Sequence, residues 1–248
     1  MNISLSAEPL FYIGSLVITN TLLMSWMIVV FVIVISLVLR ARLQTVPRGF
    51  QNAAEAVVEK LLGFIESITQ DKAQARKFFP IVGTIFTLVL MSNWLEVVPG
   101  LGTVGLLEIY EGKPIIIPFI RSMSADLNFT LALAISAVLA VQIFGIMSIG
   151  FFKYAKKFIN FKGPIEFFVG LLELISEVAK IVSFSFRLFG NIFAGEVLLT
   201  VVLFLVPYLV PLPFLFLEIF VGFVQALVFS MLTLVFLKMA VTKHAESH

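Results

Sequence analysis

The 248-residue chain has 60% hydrophobic residues, 13% charged residues and a mean hydropathy of +1.09, which exclude a soluble domain with a polar exterior. A formal net charge of +2 is too small to indicate a nucleic-acid-binding protein. The absence of cysteine excludes disulfides, cysteine-ligated metals and thiol nucleophiles. We therefore expect an integral membrane protein in contact with lipid, with no cofactor, no metal and no nucleic-acid partner.

The first apolar run predicts a retained membrane helix whose N-terminus faces outward. No lysine or arginine precedes it in residues 1–10, so the basic region of a secretory signal is missing. The run extends from about Ile13 to Leu39, which is long enough to span the hydrocarbon core with some tilt. It stops at Arg40 and Arg42, and basic residues favour the cytoplasmic side of a membrane.

The segment from about Gly49 to Gln70 predicts an amphipathic helix and not a membrane span. Its charged residues share one side, while the apolar residues recur at helical spacing on the other: Val57, Val58, Leu61, Leu62, Ile65 and Ile68. Two positions fit this pattern, the cytoplasmic membrane interface and a contact with a partner subunit. Periodicity does not separate them.

Two further spans are predicted to form a hairpin. The first runs from Pro80 to Val98 and carries Trp94 near its end, which suits a membrane interface. Residues 101–124 are expected to form an external loop with some helix, and the second span follows at residues 125–152. This span is followed by a cluster of lysines, Lys153, Lys156, Lys157 and Lys162. The cluster is the strongest orientation signal in the chain and places the next loop in the cytoplasm.

The last third of the chain predicts a long helical hairpin. Its first helix covers residues 164–206 and ends before Pro207, Pro211 and Pro213. A continuous helix of that length would be about 60 Å long, about twice the hydrocarbon thickness, so it either breaks or lies steeply tilted. The second helix, residues 214–238, returns the C-terminal tail to the cytoplasm.

The fold class predicted from these elements is an all-α polytopic membrane protein that forms a single domain over residues 1–248. It has about five membrane-embedded helices and one interfacial amphipathic helix. The last two embedded helices form the long, steeply tilted hairpin.

Arg187 is a lone arginine in almost unbroken apolar sequence. A guanidinium keeps its charge, and placing it at membrane depth costs between about 3 and 17 kcal/mol, depending on how far water and snorkelling relieve it. One interpretation is an arginine whose head group reaches the lipid headgroups. The other is a fixed cation on an ion path.

Helical phase groups other polar residues around Arg187. At about 100° per residue, its face of the long helix includes Glu173, Lys180, Ser183 and Asn191, with Glu177 at the flank. For Glu173, Glu177 and Lys180 a position in the cytoplasmic interface is the alternative, and Asn191 could simply hydrogen-bond a neighbouring helix.

Two carboxylates lie in apolar surroundings over several turns. Glu196 points away from Arg187, and Glu218 shares a face of the last helix with Gln225, seven residues further on. Because burial disfavours the charged form of a carboxylate, Glu196 and Glu218 are candidates for a proton relay. A structural hydrogen-bonding role is the alternative for both, and for Gln225.

The string SFRLFGNIFAGEVLL, residues 185–199, resembles the signature of subunit a of F-type ATP synthases. Further similarity extends along nearly the whole chain. It comprises PRGFQNAAE at residues 47–55, the segment 93–99, ADLNFTLALA at residues 125–134 and Gln225 on the last helix. The resemblance implies a tilted helical hairpin that lies against a rotating ring of c subunits.

The resemblance also implies roles for individual residues. Arg187 would attract the ionised carboxylate of each passing c subunit and keep two aqueous half-channels apart. The external half-channel would be lined by Glu196, Glu218 and Asn191, with Asp126 and Asn128 near its mouth. Gln225 would neighbour the arginine, and the cytoplasmic path would include Ser183, Lys180 and Glu173. Some family members have histidine where this chain has Glu218, which leaves the order of proton transfers open.

The expected partners are the c-subunit ring, the b-subunit peripheral stalk and the remainder of an ATP synthase. The chain would not be catalytic alone, because it has no G-x-x-x-x-G-K-[ST] sequence for ATP. We expect a bacterial inner membrane, with an organelle membrane as the alternative. The alternative function is an ion-coupled secondary transporter, although the chain lacks the two related halves typical of that class. A membrane hydrolase is less favoured, since both histidines lie in the tail, at His244 and His248.

Overall fold

The computed structural model describes residues 7–14, 16–98, 105–110, 113–158, 163–206 and 208–242. Pro99, Lys162, Pro207 and the two histidines of the tail lie outside these ranges. Within them the chain forms seven α-helices: α1 (Asn20–Ala41), α2 (Phe50–Thr69), α3 (Lys72–Glu96), α4 (Leu127–Ile149), α5 (Phe151–Phe158), α6 (Pro164–Leu205) and α7 (Pro211–Thr242).

Five of these helices, α1, α3, α4, α6 and α7, are long and apolar enough to cross a membrane. The predicted class, an all-α polytopic membrane protein, is therefore confirmed. α6 is continuous over 42 residues, so of the two alternatives for this helix, a break or a steep tilt, the break does not occur. At 1.5 Å per residue, α6 is about twice as long as a hydrocarbon core is thick.

The start predicted for the first span is wrong. Residues before α1 form an antiparallel hairpin of β1 (Pro9–Ile13) and β2 (Leu16–Thr19) instead of the first turns of a helix. The helix begins only at Asn20, where the Thr19 hydroxyl accepts a hydrogen bond from the Leu22 amide at 3.3 Å. Most apolar residues of this hairpin are aromatic or β-branched, namely Phe11, Tyr12, Ile13, Val17 and Ile18, which suits strands. A hydropathy pattern alone does not distinguish them from helix.

A second antiparallel hairpin lies within the segment predicted as a partly helical loop. It consists of β3 (Gly105–Tyr110) and β4 (Lys113–Pro118). Among the described residues of this segment, the helical part is a 3₁₀ turn at Met123–Ala125. The Asn20 side chain donates to the Pro118 carbonyl at 3.4 Å, so the ends of the two hairpins meet beside the start of α1.

Other helix boundaries also differ from the predicted ones, and α7, for example, ends at Thr242 and not at residue 238. α3 begins at Lys72 and not at Pro80, since the Asp71 carboxylate accepts a hydrogen bond from the Ala73 amide at 2.8 Å and caps it. α7 begins at Pro211, because proline is tolerated in a first turn, where no amide hydrogen is needed. α4 ends at Ile149, before the separate helix α5.

α7 lies at the centre of the bundle and packs against α3, α4 and α6. The largest apolar cluster includes Phe86, Val89, Phe184, Leu188 and Phe229, all buried. Most of α1 and α6, in contrast, is not covered by the rest of the described chain. These two helices therefore offer the largest uncovered apolar surfaces, to lipid or to other subunits.

Polar contacts fix α7 against its neighbours. The Asn93 amide donates to the Gly222 carbonyl at 3.0 Å, and the Trp94 indole donates to the Ile219 carbonyl at 3.1 Å. The Thr130 and Ser185 hydroxyls, 3.0 Å apart, join α4 to α6. These bonds set the register of the helices that carry the candidate site.

Candidate functional site

Arg187 lies on the exposed side of α6. Its Nη2 donates to the Ser183 hydroxyl, one turn earlier, at 3.2 Å. None of the ion pairs formed by the described residues includes it. Its neighbour Phe186 is 54% exposed, so the surrounding surface is apolar and uncovered within this chain. A cation in such a position is available to a carboxylate from outside the chain.

Asn191 and Gln225 join α6 to α7 one turn beyond Arg187. The Asn191 amide donates to Gln225 Oε1 at 2.7 Å, and Gln225 is only 4% exposed. Gln225 Nε2 is buried without a hydrogen-bond partner among the described residues. The contact places Gln225 beside Asn191, four residues beyond Arg187, and its position next to the arginine stays a prediction.

An ion pair joins the segment before α4 to the C-terminal part of α6. Arg121 Nη2 lies 3.0 Å from Glu196 Oε2, and the arginine is buried whereas the glutamate side chain is 27% exposed. The sequence predicts an ion-path role for Glu196 and none for Arg121, which follows β4. Because a buried charge is costly without a partner, the pair explains how both ions are accommodated here.

Glu218 points from α7 into a gap that Gly195 leaves in α6. A Cβ atom at Gly195 would collide with Glu218 Oε1, so the carboxylate occupies the space of the missing side chain. Glu218 is 8% exposed, and its Oε2 is buried without a hydrogen-bond partner among the described residues. Arg121, Glu196 and Glu218, with Gly195, form what we term the outer cluster.

On the proton path that the resemblance implies, replacing Gly195 by alanine is expected to slow proton movement while the complex still assembles. The added methyl group displaces only the mobile end of the Glu218 side chain, because that carboxylate is its nearest neighbour. We expect a reduction of at least about threefold in ATP-driven vesicle acidification. Gly63→Ala on α2 is the matched control, since a methyl group there meets nothing within 4 Å. Equal rates in the two variants would contradict the assigned position of Glu218.

Asp126 and Asn128 lie at the start of α4. Asp126 is buried and caps α4, since its Oδ1 accepts a hydrogen bond from the backbone N–H of Asn128 at 2.9 Å. Its Oδ2 accepts one from the Thr21 hydroxyl at 2.8 Å. The carboxylate therefore joins α1 to α4, while the Asn128 side chain is exposed. Their place near the mouth of an external path stays a prediction.

A second cluster, which we term the inner cluster, lies toward the start of α6. Lys157 from α5 is 2.7 Å from Glu173 and 3.8 Å from Glu177, and Lys180 is 2.8 Å from Glu177. Glu177 is buried at 8% exposure. The structure thus brings together Glu173 and Lys180, two residues predicted for the cytoplasmic path. Glu177 and Lys157 join them, and neither was predicted for that path.

Tyr154 completes the inner cluster from α5. Its hydroxyl donates to Gln142 Oε1. Burial, and then the charges of Glu177 and Glu173, raise the pKa of Tyr154 to about 12. The hydroxyl therefore stays neutral at physiological pH and acts through hydrogen bonds only.

Comparison with known proteins identifies the family of this chain. A family model described as ATP synthase A chain matches residues 22–238. The relatives named ATP synthase subunit a include those of Campylobacter jejuni (36% identical over 208 residues, 83% of this chain and 82% of the relative), Helicobacter pylori (38% over 216 residues, 86% and 85%) and Campylobacter concisus (33% over 225 residues, 90% and 89%). This chain belongs to the ATP synthase A chain family.

Proposed function

We propose that this chain is the proton-conducting stator subunit of an ATP synthase. It carries protons through two offset half-channels to and from the carboxylates of a c-subunit ring, and so couples the proton gradient to ring rotation and ATP synthesis. The observation that carries the proposal is the position of Arg187, exposed on α6 between two polar clusters.

The spacing along α6 supports two separate proton routes. Lys180 in the inner cluster precedes Arg187 by seven residues, about 10 Å, and Glu196 in the outer cluster follows it by nine, about 13 Å. A proton that moved directly between the clusters would have to pass the guanidinium, and a fixed cation raises an electrostatic barrier to protons. The proton must then travel on the ring.

Arginine suits this barrier better than lysine does. A lysine in apolar surroundings can lose its proton, whereas a guanidinium keeps its charge. Because Arg187 forms no ion pair with the described residues, it is available to attract each ionised ring carboxylate in turn. Such a transient pair also accounts for a charge at membrane depth.

On the external route, Glu218 is the better proton carrier of the two glutamates, because Glu196 is already paired with Arg121. Asn191 and Gln225 continue from the outer cluster toward Arg187. Asp126 and Asn128 lie at the external mouth of this route. On the cytoplasmic route, protons pass by way of Ser183, Lys180 and Glu173.

The N-terminus faces outward and the C-terminus faces the cytoplasm of a bacterium, in its inner membrane. With five membrane helices, this topology puts the lysines of α5 and the inner cluster on the cytoplasmic side and the outer cluster on the other side. The peripheral stalk of b subunits holds the chain still against the ring. ATP chemistry resides in other subunits of the complex.

The test of this function is ATP-driven acidification of inverted membrane vesicles. Vesicles from cells that lack the chain should hydrolyse ATP without acidifying, and restoring the chain should restore acidification. The proposal fails if vesicles without the chain acidify normally. It also fails if the purified chain alone, in liposomes without a ring, accumulates a solute at the expense of an ion gradient, which would indicate a secondary transporter.

A further inference from the structure

The inner cluster surrounds a small cavity between α4, α5, α6 and α7. Its volume is about 30 Å³, and its lining includes Val141, Tyr154, Lys157, Glu173, Glu177 and Lys180. A cavity holds a water molecule when it offers at least about 10–15 Å³ and two to four polar partners. This cavity meets both conditions, with room for one or two water molecules.

Glu177 supplies the clearest sign of a ligand. One carboxylate oxygen, Oε1, contacts Lys180 and lies near Lys157, but the other, Oε2, is buried without a hydrogen-bond partner among the described residues. An ionised carboxylate oxygen that is buried in this way costs free energy unless something donates to it. Water in the adjoining cavity is the donor of the right size.

α5 forms the cover of the cavity. Its end packs closely on α6 at Gly170, where a Cβ atom would collide with the Phe158 carbonyl oxygen. This close approach brings Lys157 within 2.7 Å of Glu173. Tyr154 is held from the other side by its hydrogen bond to Gln142. The charges around Glu177 thus come from α5 and α6, while α7 contributes only apolar residues, Phe236, Met239 and Ala240.

We propose that this cavity is an ordered-water site and that Glu177 holds the water which passes protons between the cytoplasm and the residues leading to Arg187. The role in proton passage rests on the proposed function, whereas the water site itself does not. Glu177 is therefore a further residue of the cytoplasmic route, and α5 acts as its lid. Water bound to a carboxylate and close to two ammonium groups can relay a proton without any side chain leaving its place.

Water access is tested in the assembled complex with Ag⁺, which binds thiolates and is close to water in size. The chain has no cysteine, so one introduced thiol reports on one position. Val141→Cys lines the cavity, and Val138→Cys is the matched control, because both valines are 6% exposed on α4 but Val138 does not line the cavity. After Ag⁺ treatment and denaturation, a maleimide labels only the thiols that Ag⁺ did not reach. We expect protection at 141 and not at 138, and equal labelling overturns the water site.

The role in proton passage is tested by ATP-driven acidification at matched assembly. Glu177→Leu should reduce acidification per ATP hydrolysed at least about fivefold. Glu177→Asp should recover most of the rate, since a shorter carboxylate still binds water. Glu166→Gln, an exposed carboxylate in the first turn of the same helix, should have no effect. Wild-type acidification in an assembled Glu177→Leu complex overturns the role of Glu177. It leaves the proposed function intact, because that function requires only the wild-type complex to pump.

Discussion

Arg187→Ala is expected to abolish ATP-driven acidification while the complex still assembles and hydrolyses ATP. The guanidinium lies on the uncovered side of α6 and, among the described residues, makes one hydrogen bond, to the exposed Ser183. Its removal is therefore not expected to disturb the packing of the helix bundle. The expected loss is at least about 100-fold, which corresponds to about 2.7 kcal/mol in the barrier. The measurement is the rate of proton uptake by inverted vesicles at equal amounts of assembled complex.

Two variants make the result for Arg187 specific. Arg187→Lys should recover little of the rate, because an ammonium group in apolar surroundings can release its proton. Arg76→Ala, which removes an exposed arginine from the first turns of α3, should pump normally. If the Arg187→Ala complex pumps as well as the Arg76→Ala complex, the residue is a snorkelling or packing residue and has no part in the ion path.

Glu218→Leu is expected to lower ATP-driven acidification by at least about tenfold, equivalent to about 1.4 kcal/mol. Glu218 is the buried carboxylate of the outer cluster that has no cation paired with it among the described residues, and its space is provided by Gly195. Leucine fills the same volume but cannot exchange a proton. The rate should be compared with that of Leu217→Ile, a conservative change at an exposed neighbouring position.

Glu218→His separates proton exchange from packing. An imidazole exchanges protons near neutral pH, so histidine should retain a larger share of the rate than leucine does. If histidine and leucine are equally slow, the site requires the shape or charge of glutamate and not its proton. If leucine pumps at the wild-type rate, the outer proton route does not pass through Glu218.

The sequence predicted the helices whose patterns are long and uninterrupted. α2 was predicted from its periodic apolar face within one residue of its bounds, and α6 from its unbroken apolar run. The hairpin of β1 and β2 was not predicted, because overall hydropathy stays high from β1 into α1. The local signals are Gly14 between the two strands and Thr19 at the N-cap of α1. The start of α3 was missed because Pro80 was read as a boundary, although a proline can lie inside a helix when tertiary packing compensates.

The candidate site was predictable where it lies on one helix and much less so where it joins distant segments. Helical phase put Ser183 and Asn191 on the face of Arg187, and the structure has Ser183 hydrogen-bonded to that arginine. The pair of Arg121 and Glu196, however, joins residues 75 positions apart. No local periodicity encodes such a contact. The contact between Lys157 and Glu173 was not predictable for the same reason. The lysine cluster that includes Lys157 indicated only the topology of the chain.

The separation of two proton routes by Arg187 is tested most directly by the passive proton permeability of vesicles with intact complex and no nucleotide. In the proposed complex the catalytic sector does not turn in that condition, so the ring is held still and protons cannot be carried past the arginine. The account predicts a low permeability for the wild type and a much higher one for Arg187→Ala, because the two half-channels then connect. An Arg187→Ala complex that is as impermeable as the wild type would contradict it.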